Sequence, residues 1–245
     1  MRKIVFLGDS LTSDCDPHNN ESNSWARHLC RELDIECRNL AVSAGNNRTQ
    51  VLMLQHYLLS DDYSRDDIFF WEINATSRIN TVLAPNIQVG QTTVQKHLND
   101  KSTDPLYHYQ VHLPNIFDNN KLSVILCHPA NALEHKIVDP YCLQSIDEVV
   151  LQETVSHIVS LARAGHNVLC TLGWEWAVAE KDKLLLRHLL NKDKVQFIEE
   201  EMLDWCVKQN LPLADDMHPD QMLASLIWAR THLTPRLRNI IEEDS

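Results

Sequence analysis

Residues 3–10 constrain the fold more than any other stretch: the apolar run Lys3-Ile4-Val5-Phe6-Leu7 passes directly into Gly8-Asp9-Ser10. The run is short, apolar and β-branched, with a continuous apolar character. That pattern predicts a strand covered on both faces, as in a parallel sheet. Gly8 predicts a sharp backbone turn at the strand's C-terminal end, the end at which open parallel sheets bind their ligands. A serine presented there, close to a helix N-terminus, is a candidate nucleophile, and its own N–H is a candidate oxyanion donor. Gly-Asp-Ser equally suits a polar turn with a helix cap. The nucleophilic reading therefore requires a base, and a group that orients the base, elsewhere in the chain.

The following segments have the grammar of a parallel α/β sheet with right-handed crossovers. Helical spacing covers 25–33, with Trp25, Leu29 and Leu33 on one side, and 49–59, with Val51, Leu54, Leu58 and Leu59 toward a core. Strands are expected at 36–42 and 67–74. Residues 75–120 break the pattern: the stretch is polar, contains Pro85, Pro105 and Pro114, and holds one alternating strand at 107–113. It reads as an insertion near the ligand end of the sheet. Regular order resumes with strands at 122–127, 167–172 and 195–198 and helices at 143–164, 179–190 and 202–208. Gly165 stands at a helix C-terminal cap. A last helix is expected over 220–232, followed by a polar tail to Ser245. No repeat or domain linker interrupts the chain, so residues 1–245 are expected to form one domain.

Charge and composition narrow the function. A formal net charge of −12 and an isoelectric point near 5.5 argue against a nucleic-acid partner. No apolar run approaches membrane-spanning length, and the first residues lack the pattern of a signal peptide. The seven cysteines are scattered, odd in number and without a Cys-x-x-Cys pair, which fits free thiols in a reducing, cytoplasmic setting.

The second motif is Asp215-x-x-His218-Pro219. A spacing of three in a tight turn lets a carboxylate reach the histidine, hold its tautomer and stabilise the imidazolium formed on proton transfer. Pro219 suits the first turn of the helix that follows. Helix capping by the acidic residues is the plainer reading of this motif taken alone.

Gly8-Asp9-Ser10-Leu11 and Asp215-x-x-His218-Pro219 together resemble the SGNH/GDSL hydrolases, a superfamily of serine esterases and acyl-transfer enzymes. Two further segments extend the resemblance: Asn39-Leu40-Ala41-Val42-Ser43-Ala44-Gly45 resembles the family's glycine block, and Trp71-Glu72-Ile73-Asn74 its asparagine block. The resemblance implies a three-layer α/β/α sandwich around a parallel sheet of about five strands in the order 2-1-3-4-5. It implies a catalytic triad of Ser10, His218 and Asp215, and an oxyanion hole formed by the N–H groups of Ser10 and Gly45 and the Asn74 amide. The chain departs from the family's Gly-x-Asn-Asp pattern with Glu72 and Ala75, and Ala44 precedes Gly45, which leaves the second donor open between those two residues.

No cofactor or metal is expected. His108, His112, Cys127, His128 and His135 match no zinc spacing. Arg48 and Arg78 are weaker candidates for binding a substrate anion, and Trp174 and Trp176 for stacking on a sugar. The expected activity is hydrolysis of an O-acyl (acetyl) ester of a carbohydrate or another small ester. An O-acetyltransferase on the same triad and a non-catalytic binding module on an altered site are the alternatives. The sequence leaves the oligomeric state open.

Overall fold

A computed structural model describes residues 2–9, 11–13, 24–41, 47–74, 79–82, 109–114, 121–127, 140–173, 180–190, 194–213 and 219–243. Five strands form a parallel sheet: β1 (Lys3–Leu7), β2 (Glu36–Asn39), β3 (Ile68–Ile73), β7 (Val168–Leu172) and β8 (Val195–Ile198). Their order is β2-β1-β3-β7-β8, which is 2-1-3-4-5 when the parallel strands alone are numbered. The central strands β1, β3 and β7 are buried along their whole length, whereas the edge strands β2 and β8 alternate between covered and open positions. Continuous apolar runs therefore lie in the middle and mixed ones at the rims, as a sheet covered on both faces requires.

Alternation along β1 divides the core in two. Ile4 and Phe6 join Phe70, Trp25 and Leu29 on one face, while Val5 and Leu7 join Phe69, Trp71, Leu54 and Ile158 on the other. The first face is covered by α1 (Trp25–Glu32), α5 (Met202–Lys208), α6 (Leu226–His232) and α7 (Thr234–Glu243). The second is covered by α2 (Asn47–Leu58), α3 (Pro140–Arg163) and α4 (Glu180–Leu190). This is the expected three-layer α/β/α sandwich. Gly165 has φ 104° just past α3 and occupies the left-handed cap position that its place in the sequence predicts.

The chain leaves β1 toward β2 and then crosses back to β3 on the other side. The topological switch therefore falls between β1 and β3, where sheets of this order open a crevice beyond their C-terminal ends.

Two expectations are corrected. The run expected at 122–127 does not continue the parallel sheet. As β6 (Lys121–Cys127) it pairs antiparallel with β4 (Ile79–Val82) and β5 (Tyr109–Pro114) in a separate three-stranded sheet. Only residues 115–120 join β5 to β6, a link that suits a hairpin and is far too short for a parallel crossover. The interruption of the α/β pattern thus runs through residue 127, beyond the expected limit of 120. The C-terminal tail is also not a polar extension. Leu233, Leu237 and Ile240 recur at helical spacing, are buried, and seat α7 on the first face.

A buried polar network fastens the N-terminal edge of the sheet. The Asp67 carboxylate, 1% exposed, accepts hydrogen bonds from Lys3 N (3.1 Å), Ser64 N (2.8 Å) and Tyr57 Oη (2.6 Å). Burial first, and then the neighbouring Asp67, push the Tyr57 phenol up from its usual range, so it stays a donor. His166 Nδ1 donates to the Asp67 carbonyl (3.0 Å), which leaves Nε2 to accept from Tyr63 Oη (2.9 Å). Asp67→Ala would leave several of these donors buried without an acceptor. We expect it to lower unfolding free energy by roughly 3 kcal/mol in urea denaturation; a loss below about 1 kcal/mol would show that water replaces the carboxylate.

Candidate active site

The C-terminal ends of β1, β3 and β7 lie side by side at one edge of the parallel sheet. Asn74 is inside the described residues; Ser10, Gly45, Asp215 and His218 lie outside them, as do Arg78, His108, His128, His135, Trp174 and Trp176. Of His112 and Cys127 only the strand backbone is described. The site is therefore built from the residues that bracket the expected ones.

Asp9 and Leu11, on either side of Ser10 in the chain, are both fully buried. The Asp9 carbonyl accepts from Thr12 N (3.2 Å) and Ser13 N (2.7 Å), and Asp9 Oδ1 accepts from Leu11 N (3.0 Å). This Asp9 side-chain turn uses the local acceptor geometry that makes aspartate a turn residue. The Leu11 carbonyl accepts from the Trp25 indole Nε1 (2.7 Å). Trp25 in turn packs edge-on against Phe6, Phe70 and Trp228, with ring centroids 5.5, 5.8 and 6.2 Å away. The aromatic core below the site thus holds the turn directly.

Each neighbouring segment is tied to the next. Leu40 N donates to the Phe6 carbonyl (2.8 Å), and Asn39, at the end of β2, donates from Nδ2 to the Thr12 carbonyl (2.8 Å) while its Oδ1 accepts from Ala41 N (3.0 Å). Asn47, which opens α2, grips Asn74 at two points: Asn74 N donates to Asn47 Oδ1 (2.8 Å), and Asn47 Nδ2 donates to the Asn74 carbonyl (3.0 Å). Both asparagines are 1% exposed. The departure from the family pattern around Asn74 therefore leaves its backbone firmly set, through Asn47, a residue the sequence reading had not singled out. Gly173 N donates to the Ile73 carbonyl (2.9 Å) and carries the end of β7 alongside.

Glu72 is also 2% exposed and sits at the centre of this floor. Its Oε2 accepts from Thr12 Oγ1 (2.5 Å) and Asp9 N (3.4 Å). Burial, and next the charge of Asp9 and a hydrogen bond with it, push the Glu72 carboxyl well above the usual carboxylate range. A lone acid inside the run Ile68-Phe69-Phe70-Trp71-Glu72-Ile73 is the signal that could have revealed it from sequence. Gly8 needs no left-handed backbone, since among the described residues only Gly165 has a positive glycine φ; what requires a glycine there is close approach. A Cβ there would lie 2.5 Å from Glu72 Oε2 and 2.8 Å from the Thr12 Cβ.

The Asp215–His218 segment is bracketed by an antiparallel bridge between Leu213 and Pro219, reinforced by Asp220 N donating to the Pro212 carbonyl (3.0 Å). Asp220 Oδ1 accepts from Met222 N (3.0 Å) and Leu223 N (2.8 Å). The helix thus begins after Asp220 with a π-helical turn, Gln221–Ser225, and Pro219 stands before the cap and outside the first turn. Among the described residues, no group of three or more His, Cys, Asp or Glu is arranged to hold a metal ion, and no helix is long and apolar enough to cross a membrane.

Neither a protein-family model nor a curated protein matches the chain. Among solved structures, a member of the lipolytic G-D-S-L family from Veillonella parvula matches with a TM-score of 0.50 at 10% identity, over 96% of this chain and 99% of that one. The YxiM protein of Bacillus subtilis matches with a TM-score of 0.48 at 15% identity, over 97% of this chain and 56% of that one. An acetyl xylan esterase from the rumen bacterium Butyrivibrio proteoclasticus matches with a TM-score of 0.42 at 14% identity, over 98% of this chain and 64% of that one. This chain therefore spans less than two thirds of the latter two. The Veillonella match, nearly complete in both directions, shows that the chain has the SGNH/GDSL hydrolase fold.

A carboxyl whose pKa is raised on folding contributes stability that is complete below its unfolded value, about 4.3 for glutamate, and is lost as the pH rises through the folded value. Wild type should therefore lose thermal stability relative to Glu72→Gln as the pH is raised from about 4 into the alkaline range. Tm measured by circular dichroism at constant ionic strength reads this directly. Parallel Tm–pH curves for the two proteins would show that Glu72 ionises normally.

Proposed function

We propose that this protein is a serine ester hydrolase of the SGNH/GDSL type, with Ser10 as nucleophile, His218 as its base and Asp215 as the group that orients the histidine. The observation that carries the reading is the polar floor at the β1/β3 switch point: Glu72 of β3 accepts from Asp9 N and the Thr12 hydroxyl, Asn39 at the end of β2 donates to the Thr12 carbonyl, and Asn47 fixes the Asn74 backbone alongside. A polar floor there, in a sheet otherwise buried in apolar residues, is what a reaction site needs and a plain core does not. The plainer reading of Asp215 is also weakened: Asp220 takes the Met222 and Leu223 N–H groups, so capping of the last helix does not call for Asp215. The thiols of Cys170 and Cys206 offer no rival nucleophile, since burial pushes both up, Cys206 to about 11.

In this mechanism His218 takes the proton from Ser10 Oγ as the oxygen attacks the ester carbonyl. The N–H groups of Ser10 and Gly45 and the Asn74 amide receive the developing oxyanion. The carbonyl re-forms, the C–O bond to the alcohol breaks, and His218 returns the proton to that oxygen. Water then attacks the acyl-enzyme by the same route, which releases the acid and restores Ser10. The substrate class we assign is an O-acyl (acetyl) ester of a carbohydrate or another small ester. Its support is the uncharged chemistry of that group beside a chain of net charge −12, and the placing of Trp174 and Trp176 one and three positions after Gly173 in the sequence. Cys30, Cys37, Cys170 and Cys206 are free thiols, which fits a reducing, cytoplasmic compartment.

Ser10→Ala should abolish labelling by a fluorophosphonate probe and lower turnover of p-nitrophenyl acetate by about four orders of magnitude or more. Labelling that persists in the variant would sink the assignment. Asn74→Ala should lower kcat by about 10²–10³ if its amide faces the oxyanion, whereas a change under about threefold would make Asn74 a purely structural residue.

A further inference from the structure

Glu72 is the one acid in β3, and nothing in the packing of the sheet calls for it. A buried carboxyl costs free energy that an aliphatic side chain in the same place would not. The surrounding chain is nevertheless shaped around it. The pairing of Leu7 with Trp71 brings Gly8 beside Glu72, and the pairing of Ile73 with Leu172 brings Gly173 beside Asn74. A Cβ on Gly8 would lie 3.0 Å from the Glu72 Cβ as well as against Oε2; a Cβ on Gly173 would overlap Glu72 Oε1 and lie 3.0 Å from Asn74 Oδ1. Two of the chain's five glycines therefore keep open the slot that this side chain fills, one just past the end of each neighbouring strand.

We propose that Glu72 is a positioning residue for the Ser10 turn: it occupies the slot between Gly8 and Gly173 and ties Asp9 and Thr12 to the end of the strand that carries Asn74. The proposal rests on the reading of Ser10 as nucleophile. Glu72 Oε2 accepts from the Asp9 backbone N–H, next to Ser10 in the chain, and from the Thr12 hydroxyl, two residues beyond it. A proton on Glu72 meets the charge of Asp9, the charged side chain against it among the described residues. Oε1 lies against the Gly173 position and has no hydrogen-bond partner among the described residues, which a neutral acid tolerates far better than a carboxylate. Burial and the Asp9 charge favour the protonated form of this clamp, in which one carboxyl oxygen holds both sides of the serine.

The test uses the full chain with p-nitrophenyl acetate and the fluorophosphonate probe. Glu72→Ala frees Asp9 N and Thr12, and should lower kcat and the labelling rate by about 10²-fold with KM within a few-fold, the size expected for a nucleophile misplaced by about 1 Å. Glu72→Gln keeps a neutral group of the same shape and should stay within about threefold of wild type. Gly173→Ala pushes on Oε1 and comes within 3.0 Å of Asn74 Oδ1, so it should lower kcat at least as much as Glu72→Ala. Thermal melting separates these effects from unfolding, and if Glu72→Ala does not fold, Gly173→Ala and Glu72→Gln carry the comparison. Independently of activity, the infrared difference spectrum of wild type minus Glu72→Gln at neutral pH should show a protonated carboxyl band. A folded Glu72→Ala with kcat near wild type, a Glu72→Gln as impaired as Glu72→Ala, or a missing carboxyl band in the presence of an ionised one would overturn the proposal. Failure of wild type to react with the probe would instead overturn the serine reading on which it stands.

Discussion

β1 is hydrogen-bonded on both sides, to β2 and to β3, and buried on both faces. Everything that makes this site depends on that double burial. Because the chain leaves β1 in one direction and returns to its other side, the residues after Leu7, Asn39 and Ile73 emerge together at one edge. A strand at the rim of the sheet would put the Gly8–Leu11 turn beside one neighbour only. At the switch point it has two, and both are bonded to Thr12 just beyond it: Asn39 donates to the Thr12 carbonyl on one side, and Glu72 accepts from the Thr12 hydroxyl on the other.

The turn is also held from below. Trp25 donates its indole N–H to the Leu11 carbonyl and packs on Phe6, Phe70 and Trp228; Trp228 itself donates to the Glu200 carbonyl (2.8 Å). Trp228 belongs to α6, the helix that follows the Asp215–His218 segment in the chain. One aromatic cluster thus packs against the strand before the proposed nucleophile, and includes the helix after the proposed base. Aromatic packing is rigid and close to crystal density. It gives the two ends of the sequence a common support, while the polar floor above it satisfies the backbone groups that the sheet's edge leaves open.

Several features were legible without coordinates. Largely apolar runs at residues 4–7 and 168–172 identify central strands, because double-faced burial favours them. The Trp25 and Leu54 helices follow from helical spacing, and Gly165 from the need for a left-handed cap. The order of the short motifs is enough to suggest the 2-1-3-4-5 sheet through family resemblance. These are local properties, or properties of order along the chain, and a sequence displays both.

What only the tertiary structure decided are relations between residues distant in the chain. A run such as 121–127 does not state its partner, and it joined the strand one hairpin away instead of the main sheet. Gly8 reads as a turn residue until Glu72, 64 positions later, is found in the space a Cβ would need. Asn47 looks like any first residue of a helix until it is seen to hold Asn74 at both backbone atoms. Glu72 itself, which by sequence is an irregularity in a family pattern, becomes the acceptor that joins two strands. Burial and partnership set the protonation and the role of such a side chain, and neither exists before the chain has folded.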